Sequence, residues 1–279
     1  MAPTEFTVEL PHLTLTGLRW GRSNTPTLLA LHGWLDNAAS FSTLAPGLTD
    51  KWQVMALDLP GHGHAGHLPP GMHYHFVDYV RIVLAAADHL GLSRYALLGH
   101  SMGAGIASLV AATRPEAITK LALVEGLGPV ADDGSHTLSR WRDAFTEQPS
   151  SPGRGLRVFR DIDQAASARA IATDLRADLA RPIIERALIA VTDGWQWRSD
   201  PRLTRSTPLR MAESQVRALL AGIGTPTRLL LATPNTPYLP TSLMTERAAC
   251  VTNIAVTHME GGHHLHLERT DEVVRWLGA

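Results

Sequence analysis

The feature that most constrains this chain is the stretch of residues 99–103, which reads Gly-His-Ser-Met-Gly. The apolar run at residues 95–98 is typical of a buried strand, and Met102–Thr113 has the apolar spacing of a helix. Such a short passage from strand to helix strains the middle residue, and the flanking glycines leave room for the two elements to approach. The turn should lift the Ser101 hydroxyl clear of the sheet at a helix N-terminus, where free N–H groups favour developing negative charge.

Strand and helix patterns alternate on both sides of this turn. Strand-like runs occur at residues 27–31, 54–57, 118–124, 228–232 and 253–259, and helical spacing occurs at 76–90. This alternation predicts an α/β fold, with a mostly parallel central sheet and helices on both faces. Residues 6–10 and 13–18 instead alternate apolar with polar residues, which predicts an antiparallel hairpin at one edge of the sheet.

The strand signals stop between residues 127 and 222, a stretch rich in Arg, Ala, Asp and Pro. It carries helical patches at 165–180 and 183–191, and we expect no strand in it. The sequence therefore predicts an α/β core in two parts, residues 1–126 and 223–279. Residues 127–222 are expected to form a helical insertion that covers the carboxyl ends of the strands as a lid.

Composition excludes several classes of protein. A formal net charge of −1 gives no electrostatic reason to expect nucleic acid as a partner. The single cysteine, Cys250, excludes an internal disulfide, and the first residues lack the pattern of a secretion signal. No apolar run reaches the roughly 18 residues that a membrane span needs. We expect a cytoplasmic protein without a membrane span, whose partner is a small molecule.

Acyl transfer to a serine requires a base and a carboxylate that orients the base. His263 is the base candidate, because it lies in the loop after the last predicted strand, at the same sheet edge as Ser101. The two glycines before His263 let the backbone come close to the serine. His264 and His266 compete with it; we interpret His264 as a solvated neighbour and His266 as a packing residue beside a helix.

Four motifs are specific when their order and spacing are taken together: His32-Gly33-Trp34, Asp58 with Gly61-His62-Gly63, residues 99–103, and Gly262-His263 followed by Glu268. With them the chain resembles the α/β-hydrolase fold family over essentially its whole length. Residues 31–37 and 197–203 further resemble the serine-hydrolase-like proteins of that family. The resemblance implies an α/β-hydrolase fold with Ser101 as nucleophile and His263 as base. It also implies that the backbone N–H groups of Trp34 and Met102 form the oxyanion hole.

The sequence departs from the commonest pattern of that family at the acid. An Asp usually follows the strand after the insertion, but residues 232–237 contain no carboxylate. We predict that Glu125, at the end of the neighbouring strand, is the acid, as in some family members. Asn235 as a substitute and Glu125 as a loop-capping residue remain alternatives. Asp36 and Asp58 are expected to hold loop backbone.

Two further groups of residues could contribute to a site. Trp195 and Trp197 in the insertion could line an acyl pocket, although packing between insertion and core is an equal alternative. The many histidines of one loop match no metal-binding spacing; they are His62, His64, His67, His73 and His75. We expect neither a metal nor a cofactor.

These residues predict a serine hydrolase, a carboxylesterase that cleaves a small hydrophobic carboxylic ester through an acyl-enzyme. A serine nucleophile argues against the dehalogenase and epoxide hydrolase chemistry of the family, which uses Asp. Hydrolysis of a C–C bond, perhydrolysis and a lyase reaction at the same site remain alternatives, because fold and triad do not exclude them. A non-catalytic binder of small molecules is the remaining alternative.

Overall fold

The computed structural model describes residues 2–146, 157–173 and 175–278. Its strands are β1 (Thr4–Leu10), β2 (Leu13–Trp20), β3 (Thr27–Leu31), β4 (Gln53–Leu57), β5 (Tyr95–His100), β6 (Ile118–Val124), β7 (Val158–Phe159), β8 (Leu188–Val191), β9 (Gly194–Trp197), β10 (Thr227–Thr233) and β11 (Ile254–Glu260). Its α-helices are α1 (Phe76–His89), α2 (Met102–Thr113), α3 (Thr137–Thr146), α4 (Ile162–Thr173), α5 (Ala177–Ala187), α6 (Glu213–Leu220), α7 (Thr241–Ala248), α8 (Leu265–Glu268) and α9 (Thr270–Gly278). Short 3₁₀ helices occupy Ala38–Phe41, Ala45–Leu48 and Pro201–Thr204.

Eight strands form one sheet in the order β1-β2-β4-β3-β5-β6-β10-β11. The β1–β2 and β2–β4 pairs are antiparallel, and the other pairs of this sheet are parallel. The predicted hairpin at the edge and the mostly parallel sheet are therefore confirmed. After β3 the chain first adds β4 on one side and then β5 on the other, so β3 and β5 flank the point where the strand order reverses. Ligands of such sheets bind at the carboxyl ends of the strands beside that point.

The sheet is covered on both faces, as the apolar strand runs predict. Leu97 and Leu98 are consecutive residues of β5, and because side chains alternate along a strand they join different apolar clusters. Leu97 packs with the α1 and α2 side, which includes Val83 and Val110. Leu98 packs on the opposite face, in the cluster that includes Val273 of α9. Because both faces of the sheet are packed, each strand is held in position along its axis. The residues that follow the end of a strand are therefore held in position too.

The expectation of an insertion without strands was wrong. The helical patch predicted at 183–191 ends at Ala187, and the chain continues as β8, which pairs antiparallel with β9. The β9 strand also pairs with β7, so the insertion carries a small three-stranded sheet. These strands have two to four residues each, too few for an alternating pattern to show in the sequence. The patch predicted at 165–180 is likewise divided between α4 and α5.

Three buried contacts fasten the insertion to the core. Arg186 of α5 donates to Asp58 at 2.6 Å, and Arg169 of α4 donates to Asp36 at 2.6 Å. The Asn37 side-chain amide donates to the backbone oxygen of Ile183 at 2.8 Å. All three core residues follow the carboxyl ends of β3 and β4, so the helices of the insertion lie over that edge of the sheet.

Among the residues that the structure describes, none of the helices has both the length and the apolar content that crossing a bilayer requires.

Candidate active site

Ser101 occupies a strained turn between β5 and α2. Its φ of 54° and ψ of −116° are rare for a residue with a side chain, and Ser101 makes no side-chain capping bond to the helix that it begins. Gly103 permits the turn, because a Cβ at that position would lie 2.1 Å from the Leu31 carbonyl oxygen. A Cβ at Gly99 would similarly lie 2.4 Å from the Gly103 oxygen. The predicted sharp turn is confirmed, and the Ser101 hydroxyl lies at the N-terminus of α2 without capping the helix.

Glu125 and His263 form a hydrogen-bonded pair beside this turn. The Glu125 carboxylate is 2% exposed, and its Oε2 lies 3.0 Å from His263 Nδ1. Its other oxygen accepts the backbone N–H of Ala232 at 2.6 Å. Glu125 has a φ of 55°, a strained value of the kind that collects at functional sites. A His263 ring that donates Nδ1–H to Glu125 presents Nε2 as a proton acceptor.

Thr236 is a member of this arrangement that the sequence analysis missed. Its hydroxyl donates to Glu125 Oε2, and its Oγ1 also lies 3.5 Å from His263 Nδ1. Thr236 stands in the segment where the commoner pattern of the family has its Asp. Asn235, the alternative that we considered there, is exposed. The structure thus places Glu125 beside His263. Thr236, from the segment where other family members have an Asp, orients the Glu125 carboxylate.

Tyr238 is a second residue that the sequence analysis missed. Its ring meets the His263 ring edge-on at 5.3 Å between centroids, and its side chain lies next to Ser101. Burial, and next the charge of Glu125, raise the pKa of Tyr238 to about 12, so the hydroxyl is neutral at physiological pH. The prolines at 234, 237 and 240 restrict this loop, and an aromatic residue among them is the signal that could have identified it.

The backbone around Trp34 comes close to the serine. A Cβ on Gly33 would lie 3.3 Å from the Ser101 Cβ, so this stretch of backbone passes beside the nucleophile candidate. Met102 is the first residue of α2, and its N–H therefore has no partner within the helix. The Trp34 indole turns away and donates to the Leu203 carbonyl of the insertion at 3.2 Å. Both predicted donors thus belong to backbone segments that adjoin Ser101, and their role as an oxyanion hole stays a prediction.

Trp195 and Trp197 take part in the packing of the insertion. Both belong to an apolar cluster built on Phe159 and helices α4 and α5, and the Trp197 ring meets the Phe159 ring edge-on at 5.2 Å. Trp197 also lines a surface cavity of about 290 Å³ beside residues 63–67, and Ser101 is not among the residues of that cavity. In the described parts of the chain, the packing alternative accounts for the contacts that these tryptophans make.

The other histidines of the loop that carries His263 are buried. His266 bonds through Nε2 to the Ser40 hydroxyl at 2.8 Å, and its burial lowers its pKa to about 3. The interpretation of His264 as a solvated residue was wrong, because its side chain is 7% exposed and lies 3.6 Å from Asp36 Oδ2. The loop turns inward after His263, and this places His264 and His266 under the sheet edge.

Asp58 holds loop backbone, as predicted. Its oxygens accept the N–H groups of Ala38 at 2.8 Å and His64 at 3.1 Å, and they bind Arg186. Burial alone would raise the pKa of Asp58, but these bonds, led by the one from Arg186, keep the pKa below its usual value. Asp58 is therefore an anion that joins the core to the insertion, and it makes no contact with His263.

Comparison with known proteins identifies the family. A family model described as the alpha/beta hydrolase fold matches residues 26–179 of this chain. The chain belongs to the α/β-hydrolase fold family. The predicted fold and family are thereby confirmed.

Two of its relatives are serine hydrolase-like proteins. The α/β hydrolase is 29% identical over 282 residues to one from Danio rerio, covering 98% of this chain and 86% of the relative. It is 29% identical over 266 residues to one from Dictyostelium discoideum, covering 90% of this chain and 74% of the relative. The solved structure of a hypothetical protein from Pseudomonas aeruginosa PAO1 has 34% identity and a TM-score of 0.90, covering 98% of this chain and 97% of that one. The chain is thus similar to serine hydrolase-like proteins along most of its length.

Proposed function

We propose that this α/β hydrolase cleaves a small carboxylic ester through an acyl-enzyme on Ser101, with His263 as base and Glu125 as acid. The observation that carries the proposal is the 3.0 Å bond between Glu125 Oε2 and His263 Nδ1, on the loop that faces the Ser101 turn. A carboxylate in that position fixes the ring and stabilises the imidazolium that forms during catalysis. The proposed reaction uses only side chains and backbone groups of this chain, together with water.

In the first step the Ser101 hydroxyl attacks the ester carbonyl carbon, and His263 Nε2 takes its proton. The carbonyl oxygen becomes negative, and the backbone N–H groups of Trp34 and Met102 are the donors proposed to hold it. The C–O bond to the alcohol then breaks, and the imidazolium returns its proton to the departing alkoxide. The products of this half are a free alcohol and an acyl group on Ser101.

In the second step water replaces the alcohol. His263 takes a proton from water, the hydroxide attacks the acyl carbon, and the bond to Ser101 Oγ breaks. The proton then passes from His263 to Ser101, and a carboxylic acid leaves. The aromatic ring of Tyr238 beside His263 favours an uncharged acyl group over a highly charged one.

The insertion is proposed to act as a lid over this site. Its two arginine anchors, Arg169 and Arg186, bind carboxylates at the ends of β3 and β4. The small sheet of β7, β8 and β9 stiffens it, so closure would move a packed unit and not a loose loop. A lid over the strand ends excludes water from the acyl group until the alcohol has left.

Labelling with a fluorophosphonate, followed by mass spectrometry of the peptides, tests the nucleophile. The wild-type protein should carry the adduct on Ser101, Glu125→Gln should label much more slowly, and Ser101→Ala should not label. A panel of short and long esters, run beside a dione substrate, separates ester hydrolysis from C–C bond hydrolysis. An unlabelled wild-type Ser101, or ester turnover unchanged in Ser101→Ala, would overturn the proposal.

A further inference from the structure

A buried cluster of three potential metal ligands lies directly beneath the candidate active site. We call it the Asp36 cluster; its members are Asp36, His100 and His264, which are 1%, 1% and 6% exposed. Asp36 follows β3, His100 ends β5 next to Ser101, and His264 follows His263. The cluster therefore joins the three segments that carry the candidate oxyanion donor, nucleophile and base.

The donor atoms of the cluster stand at metal-ligand spacing. Asp36 Oδ2 lies 3.6 Å from His264 Nε2 and 3.8 Å from His100 Nδ1, and the three atoms all lie within 4.8 Å of one another. Both pair distances are too long for good hydrogen bonds. Ligands of a tetrahedral zinc ion lie about 3.4 Å apart, since each is about 2.1 Å from the metal. The two distances from Asp36 Oδ2 are thus slightly longer than in a filled site, and side-chain movement would close the cluster on an ion.

The tautomer of His100 is set by its other nitrogen. Its Nε2 lies 2.9 Å from the backbone oxygen of His263, and because a carbonyl only accepts, Nε2 carries the hydrogen. Its Nδ1 therefore has no hydrogen and carries a lone pair. This nitrogen is buried, has no hydrogen-bond partner among the described residues and faces Asp36 Oδ2. A ligand histidine that donates its second N–H to a backbone carbonyl is the usual arrangement around protein-bound metals.

The two oxygens of the Asp36 carboxylate have different surroundings. Oδ1 accepts the Arg169 guanidinium at 2.6 Å, so this oxygen already has a cationic partner. Among the described residues, Oδ2 accepts only a long bond from the Ser40 hydroxyl at 3.4 Å and faces the two imidazoles. Oδ2 is therefore the oxygen that is available to share a ligand with His100 and His264.

We propose that Asp36 Oδ2, His100 Nδ1 and His264 Nε2 form a binding site for a divalent transition metal ion such as Zn²⁺. Two imidazoles and one carboxylate are a donor set that suits zinc and its neighbours. The ion would act structurally, by tying the loops of Trp34, Ser101 and His263 together from below. This revises the expectation of no metal, which rested on spacing along the sequence; the donors are 64 and 164 residues apart and no short motif contains them.

Arg169 gives the proposal a distinctive signature. It donates to Asp36 Oδ1 at 2.6 Å, so it shares the carboxylate with the proposed metal and opposes its charge. Removal of this cation should strengthen metal binding, whereas removal of a ligand should weaken it. Adventitious binding by surface histidines responds to neither change in this way.

The test uses full-length protein without a histidine tag, stripped by a chelator and then dialysed against Zn²⁺ or Co²⁺. Elemental analysis should find one metal per chain, and Co²⁺ should give visible d–d bands typical of low coordination number. Asp36→Asn and His264→Phe should each weaken Zn²⁺ binding by more than about tenfold. Arg169→Gln should bind Zn²⁺ more tightly than wild type. The double variant His73→Asn with His75→Asn, which alters another close histidine pair, should bind as wild type does.

Absence of stoichiometric Zn²⁺ uptake by folded wild-type protein would overturn the proposal. So would uptake that survives in Asp36→Asn and His264→Phe and disappears in the His73 and His75 variant. Circular dichroism checks that each variant is folded, and if a ligand variant does not fold, weaker or equal binding by folded Arg169→Gln still contradicts the site. Metal content is measured without substrate, so this outcome is independent of esterase activity.

Discussion

Glu125 Oε2 lies 3.0 Å from His263 Nδ1, although the two residues are 138 positions apart. Glu125 follows β6, and its backbone N–H bonds to Leu230 of the neighbouring strand β10. The longer side chain of a glutamate spans the extra strand, and the Ala232 N–H and the Thr236 hydroxyl hold its two oxygens. The carboxylate is therefore fixed from three sides before any substrate binds, which is the preorganisation that a general base requires.

We expect Glu125→Gln to lower kcat for an ester about 10⁴-fold, as replacing the carboxylate of a serine-hydrolase triad by an amide does. The amide keeps the size of the side chain but does not stabilise the imidazolium by charge. Steady-state kinetics with a chromogenic ester measure the effect, and exposed Glu116→Gln is the control. A Glu125→Gln enzyme within tenfold of wild type would remove Glu125 from the role of acid.

Thr236→Val should lower kcat by roughly 10- to 100-fold with little change in KM. Valine keeps the shape but removes a hydrogen bond to a charged group, which is worth about 1.5–3 kcal/mol. Thr236→Ser retains the hydroxyl and should recover most of the rate. If the Thr236→Ser and Thr236→Val enzymes have equally low kcat, the effect comes from packing of the loop, and Thr236 does not act through Glu125.

Arg186→Met should destabilise the protein by about 3–5 kcal/mol at neutral pH, because it leaves the buried Asp58 charge unpaired. Arg181→Met on the same helix is the matched control. Its ion pair with Asp163 is exposed and screened by solvent, so its loss should change stability little. Urea unfolding of both variants measures the difference, and equal losses would mean that the Asp58 pair does not anchor the insertion.

The Asp58 pair also predicts a pH dependence of stability. Its folded pKa is below the unfolded value of 3.8, so it contributes stability that is fully present above that value and is lost as pH falls through the folded pKa. The stability difference between wild type and Arg186→Met should therefore shrink as the pH is lowered from neutral to below 3.8. Urea midpoints across this range test it, and a difference that grows toward acid would contradict the assignment.

Gly103→Ala should destabilise the protein by about 1–3 kcal/mol or more and abolish labelling of Ser101. In an ordinary helix the same change is stabilising by about 1 kcal/mol. Here the added Cβ would lie 2.1 Å from backbone of β3, so the strand or the turn must move. Gly224→Ala is the control, since a Cβ there meets no atom within 4 Å. If Gly103→Ala has normal stability and normal labelling, the backbone can move to accept a Cβ at this position, and the turn does not require glycine there.

The sequence by itself determined the parallel sheet, the edge hairpin and the Ser101 turn. Each of these depends on patterns within one short window: an apolar run of strand length, or glycines two and four residues apart. It also predicted that Glu125 and His263 lie at the same edge of the sheet, because each follows the carboxyl end of a parallel strand. The actual bond between them required the register of β6 with β10.

Only the tertiary structure decided which side chains meet across separate loops. Thr236 reaches Glu125 and Tyr238 reaches Ser101 because the proline-rich loop after β10 folds back over the sheet edge. The small sheet of the insertion and the burial of His264 beside Asp36 likewise depend on contacts between distant segments. Local periodicity of apolar residues indicates where a strand or helix lies. Contacts between side chains of distant loops depend on the three-dimensional path of those loops, and no short window of sequence contains that information.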